Sequence, residues 1–352
     1  MLKLTFDNIL TALLLFIPIS IALELMHADP VMVFIASAAA IIPLAGFMGK
    51  ATEELSKQVG SGIGGLLNAT FGNATELIIA LFALQAGLFE VVKASITGAI
   101  IGNMLLIVGM SMLFGGLKRE KQTFNTQTQG VNSTMLALAA VGLVMPGLVS
   151  HIFDFGTVEA LSLGISAILL VTYVFSLLFS LRTHKHLYNC EEDPEECKPH
   201  WSKNKALLVL LLTTAVIAVE SEFLVGAVEP VSESLGLTEL FIGVIVVAII
   251  GNAAEHSTAI LMAIKNKMDL SLNIAMGSST QVALLIAPIL VFVSYIWGNP
   301  MSLVFNEFEV VAVIASVIIA NMISTDGESN WFEGIQLIAL YAIMAVVFFL
   351  IK

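Results

Sequence analysis

Charged residues, basic side chains and cysteines are all scarce in this sequence. Only 12% of its 352 residues are charged, and 15 lysines and arginines stand against 27 acidic residues, which gives a formal net charge of −12. Nucleic acid is therefore not expected as a partner, because its phosphates have to be neutralised by Lys and Arg. The two cysteines, Cys190 and Cys197, lie in one polar segment and cannot supply a disulfide framework for the fold.

Apolar residues, by contrast, make up 58% of the chain and occur in long continuous runs. Because a membrane-spanning helix needs about 20 apolar residues, the runs predict an all-α membrane protein with about eleven transmembrane helices. The runs are too continuous for the short alternating strands of an outer-membrane barrel. The predicted helices cover residues 6–25, 30–49, 63–86, 93–114, 131–149, 158–181, 205–228, 237–264, 270–297, 306–323 and 331–351.

The basic residues fall almost entirely on alternate connections between these helices. All of them except Lys93 and Lys352 lie at the N-terminus or in every second connection. The positive-inside rule therefore predicts a cytoplasmic N-terminus and a C-terminus outside. The first apolar run is long enough to span the bilayer and has neither a cleavage site nor a long extension before it, so we expect a multi-pass plasma-membrane protein. Whether copies of the chain associate as a homo-oligomer is left open.

Two halves of the sequence resemble each other. Gly-Asn-Ala-Thr-Glu at 72–76 recurs as Gly-Asn-Ala-Ala-Glu at 251–255, and small and polar residues interrupt the following helix at 98–103 and at 277–281. Predicted helices two to six thus pair with seven to eleven, and units with an odd number of helices have to insert in opposite orientations. We expect an extra helix in 1–29, two inverted five-helix repeats at 30–181 and 205–352, and an acidic cytoplasmic loop at 182–204.

Glu76 and Glu255 fall near the middle of their predicted helices. A charged carboxylate there costs about 2.5–3.5 kcal/mol or more, and no Lys or Arg lies at a comparable depth. A proton or a bound cation therefore has to neutralise the negative charge of each carboxylate. Asn73 and Asn252 each lie three residues earlier, on the same helical face. Such an all-oxygen set suits Ca2+ better than zinc or copper, so Glu76, Glu255, Asn73 and Asn252 are predicted metal ligands.

Other polar residues near these positions have two interpretations each. Asn103, Gln281, Ser278 and Ser279 on the partner helices either add oxygen ligands or form hydrogen bonds between helices. His256, about 100° around the helix from Glu255, either shares proton binding with Glu76 and Glu255 or packs inside the bundle. Four glutamates near helix ends either attract cations at the two mouths or are ordinary helix-end charges: Glu53, Glu54, Glu220 and Glu222.

The segments Gly-Asn-Ala-Thr-Glu-Leu-Ile at 72–78, Gly-Asn-Ala-Ala-Glu-His at 251–256 and Gly-Ser-Ser-Thr-Gln at 277–281 resemble the two alpha-repeats of calcium/proton exchangers, within the calcium/cation antiporter superfamily. The resemblance implies a proton-driven calcium antiporter of ten core helices plus one. It implies that Glu76 and Glu255 carry Ca2+, that Asn73 and Asn252 complete the site, and that no cofactor is needed besides the transported ions. The sodium/calcium branch typically has Gly-Thr-Ser-x-Pro-Glu instead, so H+ is the expected counter-ion.

Alternative functions are a sodium- or potassium-coupled cation exchanger and a cation channel. An enzyme is not expected, because neither His-Glu-x-x-His nor Gly-x-Ser-x-Gly occurs. The acidic run at 191–196 is either a solvated linker or, as the resemblance suggests, a segment that senses or buffers cytoplasmic Ca2+.

Overall fold

The computed structural model describes residues 11–59, 61–184 and 199–351, which are almost entirely helical. Cys190, Cys197, the acidic run at 191–196 and the first residues of the predicted helix 6–25 lie outside this part. The first half contains α1 Phe16–Leu25, α2 Pro30–Val59, α3 Ser61–Phe71, α4 Ala74–Gln85, α5 Phe89–Gly116, α6 Thr126–Val149 and α7 Phe155–Thr183. The second half contains α8 Lys203–Gly226, α9 Val228–Leu235, α10 Glu239–Gly251, α11 Ala253–Ile264, α12 Met268–Ile296, α13 Glu307–Ile323 and α14 Trp331–Leu350.

Seven stretches of the described chain are helical, long and apolar enough to cross a membrane, and the bent pair α10 and α11 gives an eighth crossing if it counts as one span. The chain is therefore a mostly helical protein with the several apolar spans of a multi-pass membrane protein, as its composition predicted. The full predicted number of crossings stays a prediction. The seven stretches are α2, α5, α6, α7, α8 together with α9, α12 and α14.

Helix α2 is longer than the apolar run that predicted it. It continues from the expected end at residue 49 to Val59 through a polar segment. Lys57 forms an ion pair with Glu53 at 2.7 Å, one helical turn earlier, and such pairs stabilise exposed helix surface. Hydropathy alone does not detect this extension, because the added residues are charged rather than apolar.

Two predicted helices are each broken in the middle. The predicted helix 63–86 is divided between Phe71 and Ala74, and the predicted helix 237–264 is divided at Asn252, where α10 and α11 are bent by 61°. Glycine followed by asparagine favours such a break, because both residues have low helix propensity. Neither Asn73 nor Asn252 uses its side chain to cap the helix that follows, so both side-chain amides are available to other partners.

Four described helices contain a π-helical turn, which holds one residue more than the α-helix around it and often occurs at functional sites. The turn in α5 holds Asn103, the turn in α10 ends just before Gly251, and the turn in α12 follows Gln281. They lie at Gly102–Ile107 in α5, Phe179–Thr183 in α7, Ile242–Val247 in α10 and Val282–Ile286 in α12.

Glycines allow α5 and α10 to cross closely. A Cβ atom at Gly98 would lie 2.0 Å from the backbone oxygen of Val244, and one at Gly243 would lie 2.5 Å from the Cβ of Ala94. Helix association inside a membrane depends on such small residues, which let backbones approach. The crossing joins the first half of the chain to the second beside both breaks.

A short two-stranded sheet joins two connections between helices. Strand β1, Gln122–Thr123, pairs antiparallel with β2, Glu328–Ser329. Lys121 and Glu328 form an ion pair at 2.6 Å, and this bond to the carboxylate raises the pKa of Lys121. The α5–α6 and α13–α14 connections therefore lie on the same side of the molecule.

Candidate ion-binding site

The two helix breaks meet in the interior, where Ser278 of α12 links them. The Ser278 hydroxyl lies 2.8 Å from Oδ1 of Asn73 and 3.3 Å from Oδ1 of Asn252. A hydroxyl carries a single hydrogen, so it donates to only one of these oxygens at a time. Asn73 and Asn252 are 4% and 0% exposed, so their side chains are shielded from bulk solvent. The structure thus brings these two asparagines, far apart in sequence, to one hydroxyl.

Asn103, in the π-helical turn of α5, extends this network. Its Nδ2 donates to Oδ1 of Asn252 at 3.3 Å and to the hydroxyl of Ser278 at 3.1 Å. Its Oδ1 lies 3.0 Å from Nε2 of His256. Gln281 of α12 accepts a hydrogen bond from Nδ2 of Asn73. His256 therefore contacts the network through Asn103.

Glu76 lies in the first turn of α4, directly after the first break. Both of its carboxylate oxygens are buried and have no hydrogen-bond partner among the described residues. Its side chain packs against the second break, because a Cβ atom added at Gly251 would lie 2.9 Å from Cγ of Glu76. A narrow pocket beside the carboxylate is lined by residues of α5 and α10, including Ser95, Ala99 and Val247.

Glu255 occupies the matching place in the first turn of α11. It is half-buried, and the charges of Glu255 and Glu76 act on each other across the interior. The first turn of a helix favours an anion, because its N–H groups are free and carry partial positive charge. No ion pair of the described residues involves either glutamate. The two acids therefore have helix N-termini near them but no basic partner.

The donor set of this centre consists of oxygen atoms. Within the described ranges, no three His, Cys, Asp or Glu side chains meet in a way that could hold a metal ion. The available ligands are instead the carboxylates of Glu76 and Glu255, the side-chain oxygens of Asn73 and Asn252, and the Ser278 hydroxyl. Such hard oxygen donors fit Ca2+, which accepts about six to eight oxygens in flexible geometry.

Ser279 lies apart from this hydrogen-bond network, although it neighbours Ser278. It is fully buried, and its hydroxyl has no partner in the part of the chain that the structure describes. The reason is geometric, since consecutive residues of a helix point about 100° apart.

The four glutamates predicted at the mouths differ in their surroundings. Glu53 and Glu222 are exposed. Glu54 is buried and accepts hydrogen bonds from the backbone N–H groups of His200 at 2.6 Å and Trp201 at 2.7 Å. Glu220 is also buried, and its Oε1 lies 2.7 Å from the hydroxyl of Ser20 on another helix. Glu54 and Glu220 do not line an open mouth in this structure, because their carboxylates are directed into the protein.

One polar feature escaped the sequence analysis. Along α12, Asn273, Gly277 and Gln281 follow each other at intervals of four residues, and all three are half-exposed. Nothing lies within 4 Å of a Cβ atom added at Gly277. Asn273 accepts hydrogen bonds of 3.1 Å from Gln129 and from Asn132 of α6. The four-residue spacing of these residues in the sequence indicates that they share one face of α12. They form an accessible polar stripe that ends at Gln281.

Comparison with known proteins gives consistent matches over nearly the whole chain. The sodium/calcium exchanger protein family matches residues 30–182 and 205–350. A Ca2+/H+ antiporter of Aphanothece halophytica is 48% identical over 97% of this chain and 96% of its own length. The Ca2+/H+ antiporter ChaA of Bacillus subtilis is 47% identical over 95% of this chain and 97% of its own length. The solved structure of native YfkE, 44% identical, has a TM-score of 0.87 and covers 97% of this chain and 100% of that one.

These matches extend through both helix breaks and almost to both ends of the chain. The resemblance inferred from the Gly-Asn-Ala segments is therefore confirmed, and the chain belongs to the sodium/calcium exchanger protein family and, within it, to the calcium/proton exchangers.

Proposed function

We propose that the protein is a proton-driven calcium antiporter that moves Ca2+ across the membrane in exchange for H+. The observation that carries this proposal is the Glu76 carboxylate, which is buried between two helix breaks with no hydrogen-bond partner in the described ranges, and whose charge acts on that of Glu255. Two relatives nearly half identical along their whole length are Ca2+/H+ antiporters, which supports the same function here.

The chemistry of the site supports an exchange between Ca2+ and protons at the same atoms. Glu76 and Glu255 together match the charge of one divalent ion, and Asn73 and Asn252 add neutral oxygens. When Ca2+ leaves, the carboxylates need another positive charge, since bare anions are costly inside the bilayer. Protons meet this need, and each ion therefore displaces the other. His256, bonded to Asn103, is assigned a share in proton binding next to the two acids.

We infer an alternating-access mechanism from an inverted-repeat architecture. The proposed five-helix units lie at 30–181 and 205–352, and an additional helix lies within 1–29. The division of the family match into residues 30–182 and 205–350 supports these units, as do the matching breaks at Asn73 and Asn252. Helices α2 and α8, which open the two units and pack against each other, are assigned as the moving pair. The polar stripe on α12 offers Ca2+ and H+ a hydrated route to Gln281.

We assign the protein to the plasma membrane, with ten core helices plus one, the N-terminus in the cytoplasm and the C-terminus outside. The β1–β2 pairing supports this orientation, because it puts the connection that holds Glu328 on the same side as the basic residues Lys118, Arg119 and Lys121. The bacterial sources of the close relatives also agree with a plasma-membrane location.

Transport by reconstituted vesicles tests the function. An imposed pH gradient should drive Ca2+ accumulation by the unchanged protein, and Glu76→Gln and Glu255→Gln should each abolish it. Glu233→Gln, an exposed position on α9, serves as the matched control and should transport normally. Undiminished uptake by either site variant would remove that residue from the mechanism. Accumulation driven by a sodium or potassium gradient, with no response to pH, would overturn the choice of counter-ion.

A further inference from the structure

A second buried acid, Glu220, lies away from the ion-binding site, where α8 meets α1 and α2. Glu220, Ser20 of α1 and Ser37 of α2 are each 0% exposed. The Ser20 hydroxyl lies 2.7 Å from Oε1 of Glu220, and the Ser37 hydroxyl faces the same carboxyl. Oε2 of Glu220 and the hydroxyls of Ser37 and Ser221 have no hydrogen-bond partner among the described residues. The unpaired Oε2 of Glu220 and the unpaired hydroxyl of Ser37 thus lie together where the three helices meet.

The hydrogen atoms available at this point indicate which form of Glu220 is present. Ser20 Oγ also lies 2.8 Å from the backbone oxygen of Ile17, but a serine hydroxyl has only one hydrogen to donate. If Ser20 donates to Ile17, the hydrogen in the contact with Glu220 has to come from a protonated carboxyl. If Ser20 donates to Glu220 instead, a full negative charge is buried with only the neutral hydroxyls of Ser20 and Ser37 beside it. The first arrangement pairs more groups and buries no charge.

No charged group near Glu220 offsets a negative charge. In the described part of the chain, the carboxyl is influenced by its burial and by Ser20 and Ser37, and no charged side chain acts on it. An unpaired charge in hydrocarbon is costly, so the neutral form is favoured. The charged groups on the helices packed against this part of α8 are Glu24 on α1, Lys50, Glu53, Glu54 and Lys57 on α2, Glu76 on α4, Glu222 on α8 itself, and Glu229 and Glu233 on α9.

We propose that Glu220 is a second intramembrane proton-binding site, separate from the Asn and Glu centre, whose protonated carboxyl fastens α1 to α2 and α8. Helix α1 precedes the part of the chain that matches the family, which begins at residue 30. The Glu220 hydroxyl donates to Ser20 while Ser20 donates to Ile17, and this chain of bonds joins α1 to α8. Loss of the proton would leave a charge between three helices and loosen α1.

Infrared spectroscopy of the purified protein in lipid tests the proton directly. With Ca2+ bound at the Asn and Glu centre, the unchanged protein should show an absorption component of a protonated, buried carboxyl group at neutral pH, and Glu220→Gln should lack that component. Glu222→Gln, an exposed position two residues away, should retain the band. Ser20→Ala should shift the band, because it removes the acceptor of the Glu220 proton, and this variant keeps the test decisive if Glu220→Gln folds poorly. An unchanged spectrum in both Glu220→Gln and Ser20→Ala would overturn the proposal.

Thermal unfolding at different pH values gives an independent readout. The unfolded chain releases the Glu220 proton to water while the folded protein keeps it, so the unchanged protein should lose stability as the pH rises through the mildly acidic range. Relative to Glu220→Gln, its unfolding equilibrium constant should increase by up to about tenfold for each pH unit. Identical pH profiles would contradict the proposal. A gain in stability with NaCl at constant pH that Glu220→Gln abolishes would also overturn it, in favour of a bound metal cation. Neither measurement depends on calcium transport.

Discussion

At the scale of single residues, Glu76 packs directly against Gly251 of the other half of the site. The glycine recurs before each asparagine of the repeated segments, and at the second position the structure gives the reason. There is no room for a side chain there while Glu76 keeps its place. The position of one carboxylate thus depends on a residue 175 positions away in the other half of the chain.

Gly251→Ala should therefore weaken calcium binding by about tenfold, because overpacking of this size costs about 1–3 kcal/mol and here displaces Glu76. The added Cβ would lie 2.9 Å from the Glu76 Cγ. Calorimetric titration of the purified protein with Ca2+ measures the effect. Gly164→Ala on α7, where a Cβ meets nothing within 4 Å, is the control and should bind as the unchanged protein does. Equal affinities of the two variants would show that Glu76 adapts freely.

The sequence predicted Asn73, Asn252, Glu76 and Glu255 because repeated motifs mark positions without any coordinates. It left the partners of Asn103 open, since only the fold reveals that α5 and α11 bring Asn103 to His256. The burial of individual charged side chains also could not be predicted from the sequence. Glu54 and Glu220 look like helix-end charges in the sequence, but folding places other helices or the segment at His200 against them.

At the scale of secondary-structure elements, the crossing of α5 and α10 sets the distance between the two breaks. Gly98 and Gly102 form a pair at four-residue spacing within the interrupted stretch of α5. The structure distinguishes them. Gly98 touches the backbone of Val244, whereas Gly102 has no atom within 4 Å of an added Cβ and begins the π-helical turn.

Gly98→Ala should lower the thermal unfolding temperature of the purified protein, because its Cβ would lie 2.0 Å from a backbone oxygen that cannot rotate away. The expected loss of stability is about 1–3 kcal/mol or more. Gly102→Ala, one turn further along the same helix, is the matched control and should cost far less. Alanine has the higher helix propensity of the two residues, so a similar loss in both variants would mean that the close crossing at Gly98 is not what governs stability here.

Helix boundaries were predictable only where hydropathy changes. The end of α2 was missed because charged residues continue the helix through pairs such as Lys57 with Glu53. The breaks at Asn73 and Asn252 were not predicted, although polar residues inside the apolar runs at 63–86 and 237–264 mark their positions. The bend at the second break could not be predicted either, because it depends on how the neighbouring helices pack against each other.

At the scale of the whole molecule, the membrane class follows from composition alone, because no soluble core of this size needs such apolar runs. The direction in which the site opens depends on packing between distant elements and could not be read from the sequence. The half-exposed stripe Asn273, Gly277 and Gln281 indicates an opening along α12 towards its N-terminal end. That end lies beside the β1–β2 sheet, where Asp269 bonds the backbone of Asn125.

A single cysteine at position 273 should react with a membrane-impermeant thiol reagent added from the side of Lys121, in a background with Cys190→Ser and Cys197→Ser. Leu284→Cys, on the same helix but fully buried, should stay unreactive. Labelling of sealed vesicles in the two orientations measures the difference. Reaction of Asn273→Cys only from the opposite side would contradict the proposed orientation of the route.

The π-helical turns make the site sensitive to chain length in a way that substitution does not test. Each turn is in effect a one-residue insertion within an α-helix. Deleting one residue from Gly102–Ile107 would restore the regular hydrogen-bond ladder and remove the local widening of α5 in which Asn103 lies. Asn103 would then lose its position opposite Asn252, Ser278 and His256, although its side chain was unchanged. Calcium/proton exchange in this protein should therefore depend partly on the number of residues in the π-helical turn of α5. We expect deletion of one of these residues to abolish exchange where many substitutions would not.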